Sequence, residues 1–485
     1  MEALQHCLPQ NLRQFLDELP ETLDETYERI LKGINKTQRD DARRLLHCLA
    51  AADRPLYVEE LAEILAFDFQ ALSSGGIPTL KEDWRWDNQE EAILSTCPSL
   101  VTIVSSDEPR VVQFSHFSVK EYLTSPRLAR SPHGDVSRFH IDHDLAHTIM
   151  AQACLGTLLR LDDNNGVAEG KLVGYAARRW TKHAQFKEVS SRVRDGMDHL
   201  FDSSKPYFSA WLRVYNIDER WVYFSCGLGG RGQPSRVGSP LYYAAFCGLH
   251  DLAERLIMKH PEQVNARGGH ILAPLPAALY MKHFDVADLL RMHGAILDVR
   301  GLFKWTPLHA ALLFGRTDIV RWLLKNGADP NAQTSGGSGW TPLHIAVHSM
   351  QVEPILALLE QNADVNSQCF EGNTPLYEAI SLFASFPEGM VVDIVRQLLE
   401  HGADPNIGDY RHSTALHQAS FRGWVEVARL LLQYGANVDE KDRKGRTPFQ
   451  IASAEGYDNV TKLLLEHDAV YTLAFQLPIG RNMLQ

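Results

Sequence analysis

The chain has 485 residues, 45% hydrophobic and 22% charged. That is the composition of folded protein in two or three domains, and it excludes a disordered chain or a single small module. Lys and Arg number 48 against 60 Asp and Glu, a formal net charge of −12, which excludes nucleic-acid binding by bulk charge. Seven scattered cysteines without a Cys-x-x-Cys pair argue against a disulfide framework or a zinc site. No basic-then-apolar leader and no apolar run near the ~20 residues of a membrane span are present, so the expected setting is intracellular and cytoplasmic, without a membrane partner.

In chain order, LPETLDETYERILKGI (19–34) places Leu23, Tyr27, Ile30, Leu31 and Ile34 on one helical face, with Pro20 in the first turn. DDARRLLHCLAAA (40–52) reads as a second helix, and RPLYVEELAEILAF (54–67) as a turn and a third. A loop containing tryptophan (68–88) leads to a short helix, EEAILSTC (90–97). LVTIVS (100–105) and RVVQFS (110–115) alternate as strands about an SDEP turn. Helices followed by a two-stranded wing describe a winged helix over 36–130, preceded by a helical segment over 1–35.

At the end of the wing stands VQFSHFSVKEYLTS (112–125). Ser118 and Glu121 form a Ser-x-x-Glu capping box, so a helix follows His116. Phe114, Phe117 and Tyr122 read as the core of that junction. A Ser–His nucleophile pair is disfavoured: Ser115 and His116 are strand neighbours pointing to opposite faces, Ser118 is a cap, and no acid partner is identifiable. DNA binding through WRWDNQEEAILSTC is disfavoured as well, because Asp87, Glu90 and Glu91 outnumber Arg85.

Residues 131–235 form a helical linker, with helices over 144–161, 172–186, 191–201 and 206–215. DDNNG (162–166) and SCGLGGRGQPSRVG (225–238) are loops, the second a hinge. Arg178, Arg179, Lys182, Lys187, Arg192 and Arg194 make a basic patch, read as a solvated face, an acidic-partner site or an intramolecular dock.

From 239 to 470 the sequence repeats. SPLYYAA (239–245), APLPAAL (273–279), TPLHAAL (306–312), TPLHIAV (341–347), TPLYEAI (374–380), TALHQAS (414–420) and TPFQIAS (447–453) recur at about 33 residues, and the T-P-L-H-x-A core is the ankyrin pattern. This stretch resembles the ankyrin family in seven repeats, followed by a tail over 471–485. Each copy keeps a close-packing alanine: Ala244, Ala278, Ala311, Ala346, Ala379, Ala419 and Ala452. Gly327, Gly402 and Gly435 close second helices in the left-handed conformation. The second copy departs at Ala273 and Pro276, and the fifth carries an insertion, SLFASFPEGMV (381–391), expected to lengthen a helix or bulge. His309, His344 and His417 read as hydrogen-bonding core residues rather than catalytic ones. In the ankyrin layout the end of each first helix faces a concave surface for a protein partner. There stand Phe246, Tyr280, Leu313, Phe314, His348, Phe421 and Arg422, with Trp424 just beyond, candidate anchors or packing residues.

LPETLDETYERIL, the winged helix and FSHFSVKEYL together resemble, over about residues 10–130, the segment that follows the NACHT ATPase in fungal NOD-like receptors. CLGTL followed by YAARRW resembles their helical linker. A related winged helix carries the label GPI inositol-deacylase, but this chain has no G-x-S-x-G elbow. The resemblance implies that His116 matches a histidine able to contact the phosphates of bound ADP. The chain has no G-x-x-x-x-G-K-[ST] loop, so His116 is read as structural or as a vestigial phosphate sensor. The expected fold is mainly α: winged helix, helical linker and ankyrin solenoid. The expected function is a non-catalytic interaction scaffold without cofactor or metal, the sensor part of a NOD-like receptor-type signalling protein. It would act on a protein partner and on a NACHT ATPase in trans or in the intact gene product. A truncated nucleotide-dependent receptor and a hydrolase stand as alternatives.

Overall fold

The computed structural model describes residues 22–69, 77–104, 109–161, 170–217, 237–301, 305–334, 337–381 and 388–476. The chain divides into two units, Met1–His293 and Gly294–Gln485, and is mainly helical.

Helix α1 (Leu23–Gly33) begins where Thr22 Oγ1 accepts the Glu25 amide, and Asp24 and Glu25 suit its positive end. Tyr27, Leu31 and Ile34 are buried as expected, while Leu23 is exposed. Then follow α2 (Arg39–Ala51), β1 (Leu56–Tyr57), α3 (Val58–Leu65), β2 (Phe67–Asp68), β3 (Thr79–Leu80), α4 (Gln89–Thr96), β4 (Val101–Val104), β5 (Val111–Phe114), α5 (Phe117–Leu123), α6 (Pro126–Ala129) and α7 (Gly134–Ser137).

The wing has three strands rather than the expected two. β5 pairs with β4 and also with β1, where Leu56 faces Val112. A two-residue strand running straight into a helix shows no alternation, so pattern alone misses it. The SDEP turn falls on residues outside the described set.

The linker comprises α8 (His143–Leu158), α9 (Val173–Ala184), α10 (Lys187–Arg192), α11 (Arg194–Leu200) and α12 (Tyr207–Val214). The helix expected over 191–201 is broken at Val193 into α10 and α11. Trp180, Phe201 and Trp211 are buried in mutual contact, and Trp211 Nε1 donates to the Ala177 carbonyl at 2.9 Å. The linker docks on the winged helix through carboxylates. Asp53 receives Lys182 at 2.7 Å and Arg179 at 2.5 Å, and Glu63 Oε2 accepts the Leu172 amide at 2.8 Å. Two cations of the basic patch therefore serve an intramolecular dock.

A polar chain runs beside this junction. The Asp53 amide donates to Tyr175 OH, which meets His183 Nε2 at 3.0 Å, and His183 Nδ1 meets His147 Nδ1 at 2.9 Å. Burial holds His147 neutral, its pKa lowered to about 4, with the neighbouring His143 adding to the effect. Burial likewise lowers His183 to about 3.

The first unit also holds two ankyrin helix pairs: α13 (Pro240–Cys247) with α14 (His250–Lys259), and α15 (Pro274–Tyr280) with α16 (Phe284–Met292). The first pair is tied to the linker. Phe208 packs edge-on against Tyr243 at 5.6 Å, Gln185 Nε2 donates to the Cys247 carbonyl at 2.9 Å, and Arg255 pairs with Asp198 at 2.8 Å.

The second unit stacks α17 (Pro307–Leu313), α18 (Thr317–Lys325), α19 (Pro342–His348), α20 (Val352–Glu360), α21 (Pro375–Ser381), α22 (Glu388–Glu400), α23 (Ala415–Arg422), α24 (Val425–Gln433), α25 (Pro448–Glu455) and α26 (Asp458–Gln476). The motif alanines Ala311, Ala346, Ala379, Ala419 and Ala452 are fully buried, which lets the helices approach. Gly327, Gly402 and Gly435 have φ of +89°, +89° and +87°, the left-handed conformation expected of them.

An asparagine ladder links successive repeats. Asn331, Asn366 and Asn406 each accept the amide of a residue in the next repeat: Asp364 at 2.7 Å, Asp404 at 2.8 Å and Asn437 at 2.7 Å. Each also donates to a carbonyl of that repeat, from Asn362, Gly402 and Gly435 respectively. Residues 382–387 of the insertion lie outside the described set; its last residues, from Glu388, lengthen the second helix of the fifth repeat, since α22 has 13 residues where α18, α20 and α24 have 9. Its Glu388 Oε1 accepts the Glu426 and Val427 amides, satisfying the start of α24 in the next repeat.

Candidate functional site

The repeated Thr-x-x-His is a cap and a splice. Thr306 Oγ1 accepts the His309 amide, while His309 Nδ1 accepts the Thr306 amide at 3.2 Å. With Nδ1 an acceptor, Nε2 carries the proton and donates to the Trp340 carbonyl of the next repeat at 3.3 Å. His344 reaches the Asn373 carbonyl at 3.0 Å, and His417 the Arg446 carbonyl at 3.1 Å, in the same way. In the last repeat Gln450 Oε1 takes the Thr447 amide, so an amide side chain can close this cap too.

The fifth repeat breaks the pattern. Tyr377 occupies the histidine position, and its hydroxyl donates to Asp409 Oδ2 at 3.1 Å instead of spanning to a carbonyl. Next to it, Glu378 replaces the small, apolar or amide residue of other copies. It is buried, taking His348 Nδ1 at 3.3 Å on one oxygen and Asn373 Nδ2 at 3.2 Å on the other. Tyr377 and Glu378 both line a cleft of about 560 Å³, together with Phe370, Tyr410, Glu371 and Arg411. A buried carboxylate is retained only where donors hold it. Here Glu378 lines the cleft, and each of its oxygens can accept more than the one bond it makes.

Of the expected anchors, His348 lines this cleft, its ring tilted against Trp340 with centroids 4.7 Å apart. Phe421 is 48% and Phe314 37% exposed. Arg422 donates to the Ser381 carbonyl at 2.7 Å, at the edge of the cleft. Trp424 is half-buried at the start of α24. Phe246 and Tyr280 correct the expectation: they are 3% and 6% exposed, so their rings pack inside the first unit rather than facing a partner. Sequence reasoning missed Phe370, Tyr377, Glu378 and Tyr410. The signal available was the departure of TPLYEAI from TPLHxA at two adjacent positions.

His116 is the N-cap of α5, a role assigned in advance to Ser118. Its Nδ1 accepts the Ser118 amide at 3.3 Å and the Ser118 hydroxyl at 2.6 Å, and Ser118 in turn accepts from Tyr27 OH at 2.7 Å. The helix starts right after His116 as expected, but Phe117 is 69% exposed rather than core. Ser115 Oγ bonds the Ser99 carbonyl at 2.8 Å and takes no part in a Ser–His pair. His116→Ala should lower stability by about 1 kcal/mol, the worth of a cap, as read from the thermal midpoint. An unchanged midpoint would remove that role.

Residues 241–334, 332–409 and 382–474 match the family model of ankyrin repeats, in three copies. Residues 27–132 match the model described as the winged helix domain of GPI inositol-deacylase. The chain is 31% identical over 302 residues to the azaphilone pigments biosynthesis cluster protein L of Monascus ruber, covering 58% of this chain and 61% of that protein. It is 33% identical over 187 residues to the ankyrin repeat protein nuc-2 of Neurospora crassa, 39% of this chain and 17% of that one. It is 39% identical over 66 residues to human protein phosphatase 1 regulatory subunit 27, 14% of this chain and 43% of the subunit. The chain thus spans less than two thirds of the length of these relatives. Among the described residues no helix is long and apolar enough to cross a membrane, and no three His, Cys, Asp or Glu gather as metal ligands. The chain joins a winged helix of the GPI inositol-deacylase type to ankyrin repeats, and the repeats support a role as a protein-interaction scaffold.

Proposed function

We propose that this is a non-catalytic scaffold whose ankyrin array grips a protein partner. In this reading it is the sensor and regulatory part of a NACHT-type NOD-like receptor system. The observation that carries the scaffold is the cleft at Tyr377 and Glu378. There the histidine-to-carbonyl bond of the other repeats is replaced by bonds of the Tyr377 hydroxyl to Asp409 and Gln418 of the next repeat, beside a polar and aromatic cleft. A local departure from the repeat motif beside a cleft with exposed aromatic rings supports binding there.

His116 favours a second element of the reading. Its Nδ1 is used by the cap, and its ring is exposed, so Nε2 can meet a phosphate on an ATPase domain supplied in trans or by the intact gene product. The chain alone is expected to show no nucleotide turnover.

Proximity labelling from the wild-type chain, compared with a Phe421→Ala/His348→Ala chain, tests the scaffold. Proteins labelled by the wild type should fall several-fold with the variant while the thermal melt holds. Labelling that ignores the variant, or ATP hydrolysis by the purified chain, would sink the proposal.

A further inference from the structure

We infer that the cleft receives a guanidinium: an arginine side chain on an extended partner segment laid across the hairpin tips of the fourth to sixth repeats. This rests on the scaffold reading and specifies its partner.

Charge comes first. Glu371, Glu378 and Asp409 line the cleft against a single cation, Arg411. Glu378 is the decisive group, because it is buried and each of its oxygens makes one bond, to His348 Nδ1 and to Asn373 Nδ2. A carboxylate so buried is weakly screened by water, and no lysine or arginine bonds it among the described residues. A neutral or acidic guest would desolvate that carboxylate further without giving it a new partner, whereas a cation would offer one.

Aromatic surface comes second. Phe370 is 51% and Tyr410 67% exposed, both on hairpins where polar residues are usual. They are seated rather than swinging. Phe370 lies across Gly339 and Tyr410 across Gly372, positions of positive φ where a Cβ would run into the residue above. The backbone fixes them too: the Phe370 amide donates to the Ser338 carbonyl at 2.8 Å, and the Tyr410 amide to the Glu371 carbonyl at 3.2 Å. Rigid rings beside carboxylates attract cations through the ring faces. A guanidinium suits this pairing better than an ammonium. It is flat enough to stack on the rings, and its forked N–H groups can reach Glu378 and Asp409 together.

The test selects binders from an unbiased displayed library of 12-residue peptides on the full wild-type chain. Arginine should be enriched at one position. Replacing that arginine by citrulline, which keeps the shape and removes the charge, should weaken binding at least about tenfold. Glu378→Gln should do the same to the arginine peptide, and so should Tyr410→Ala, whose exposed ring can be lost without unfolding. Thermal melts of both variants should match wild type. Selected peptides without arginine, or citrulline forms that bind as tightly, would overturn the guanidinium and leave the scaffold standing. Failure to select any peptide would overturn both.

Discussion

Replacing His344 with alanine should destabilise the second unit by about 2–3 kcal/mol, seen as faster hydrogen exchange of the array amides and a lower urea midpoint. The side chain is fully buried and does three things at once. It fills the space between the fourth and fifth repeats, accepts the Thr341 amide at 3.3 Å and donates to the Asn373 carbonyl at 3.0 Å. Alanine leaves a cavity and two unpaired backbone groups. His344→Gln should recover part of the loss, because Gln450 already closes the same cap in the last repeat. If alanine and glutamine variants unfold alike, the cap is not the source of the stability.

The same histidines impose a pH dependence whose sign is fixed. Burial lowers His309 from 6.5 to about 4, opposed by the Trp340 carbonyl that its Nε2 meets, and burial lowers His344 and His417 as well. As pH falls below 6.5 the unfolded chain binds protons before the folded one, so stability is complete above that value and declines toward pH 4. For His309 the full decline is about 3 kcal/mol. A chain carrying His309→Gln, His344→Gln and His417→Gln should show a flatter dependence than wild type between pH 7 and 5. Parallel curves would remove these three residues as the cause.

Glu60→Ala should cost about 3 kcal/mol or more in the first unit. Glu60 is buried, receives Arg54 through two bonds of 2.8 and 2.6 Å, and accepts the Tyr57 amide at 2.9 Å at the start of α3. Removing it leaves the guanidinium between the Tyr57 and Tyr175 rings, 4.5 and 5.1 Å away, without its carboxylate. Glu60→Gln keeps the cap and should lose less. Because Tyr175 belongs to α9, the damage should reach the linker, and hydrogen exchange should quicken in α3 and α9 together. Exchange confined to α3 would show that the ion pair does not couple them.

Much of this architecture was legible because repetition writes the same physics several times. The alanines, the left-handed glycines and the Thr-x-x-His caps recur at one period, so each copy corroborates the others. Single-copy features were harder. β1 is two residues long and gives no alternation. Phe117 reads as core beside Phe114 and Tyr122, yet as the first residue of a helix capped by His116 it is exposed. Phe246 and Tyr280 sit where the repeat layout exposes a side chain, yet in the first unit they are covered. The cleft was least legible, because it exists only where Phe370, Glu378 and Tyr410 come together from separate parts of the chain. Its trace in the sequence is a broken motif, visible only after the motif's purpose is understood.

The asparagine ladder has a consequence for how such a chain can change over time. From Asn331 to Asn366 the chain runs 35 residues, and from Asn366 to Asn406 it runs 40, yet each asparagine makes the same pair of bonds to its neighbour. The pitch of the stack is therefore set by the rungs and not by the contour length between them. Extra residues can accumulate between two helices of a repeat without displacing the repeats beyond it. Length at that place is a free variable in which new surface can be tried, while the rest of the array keeps its register.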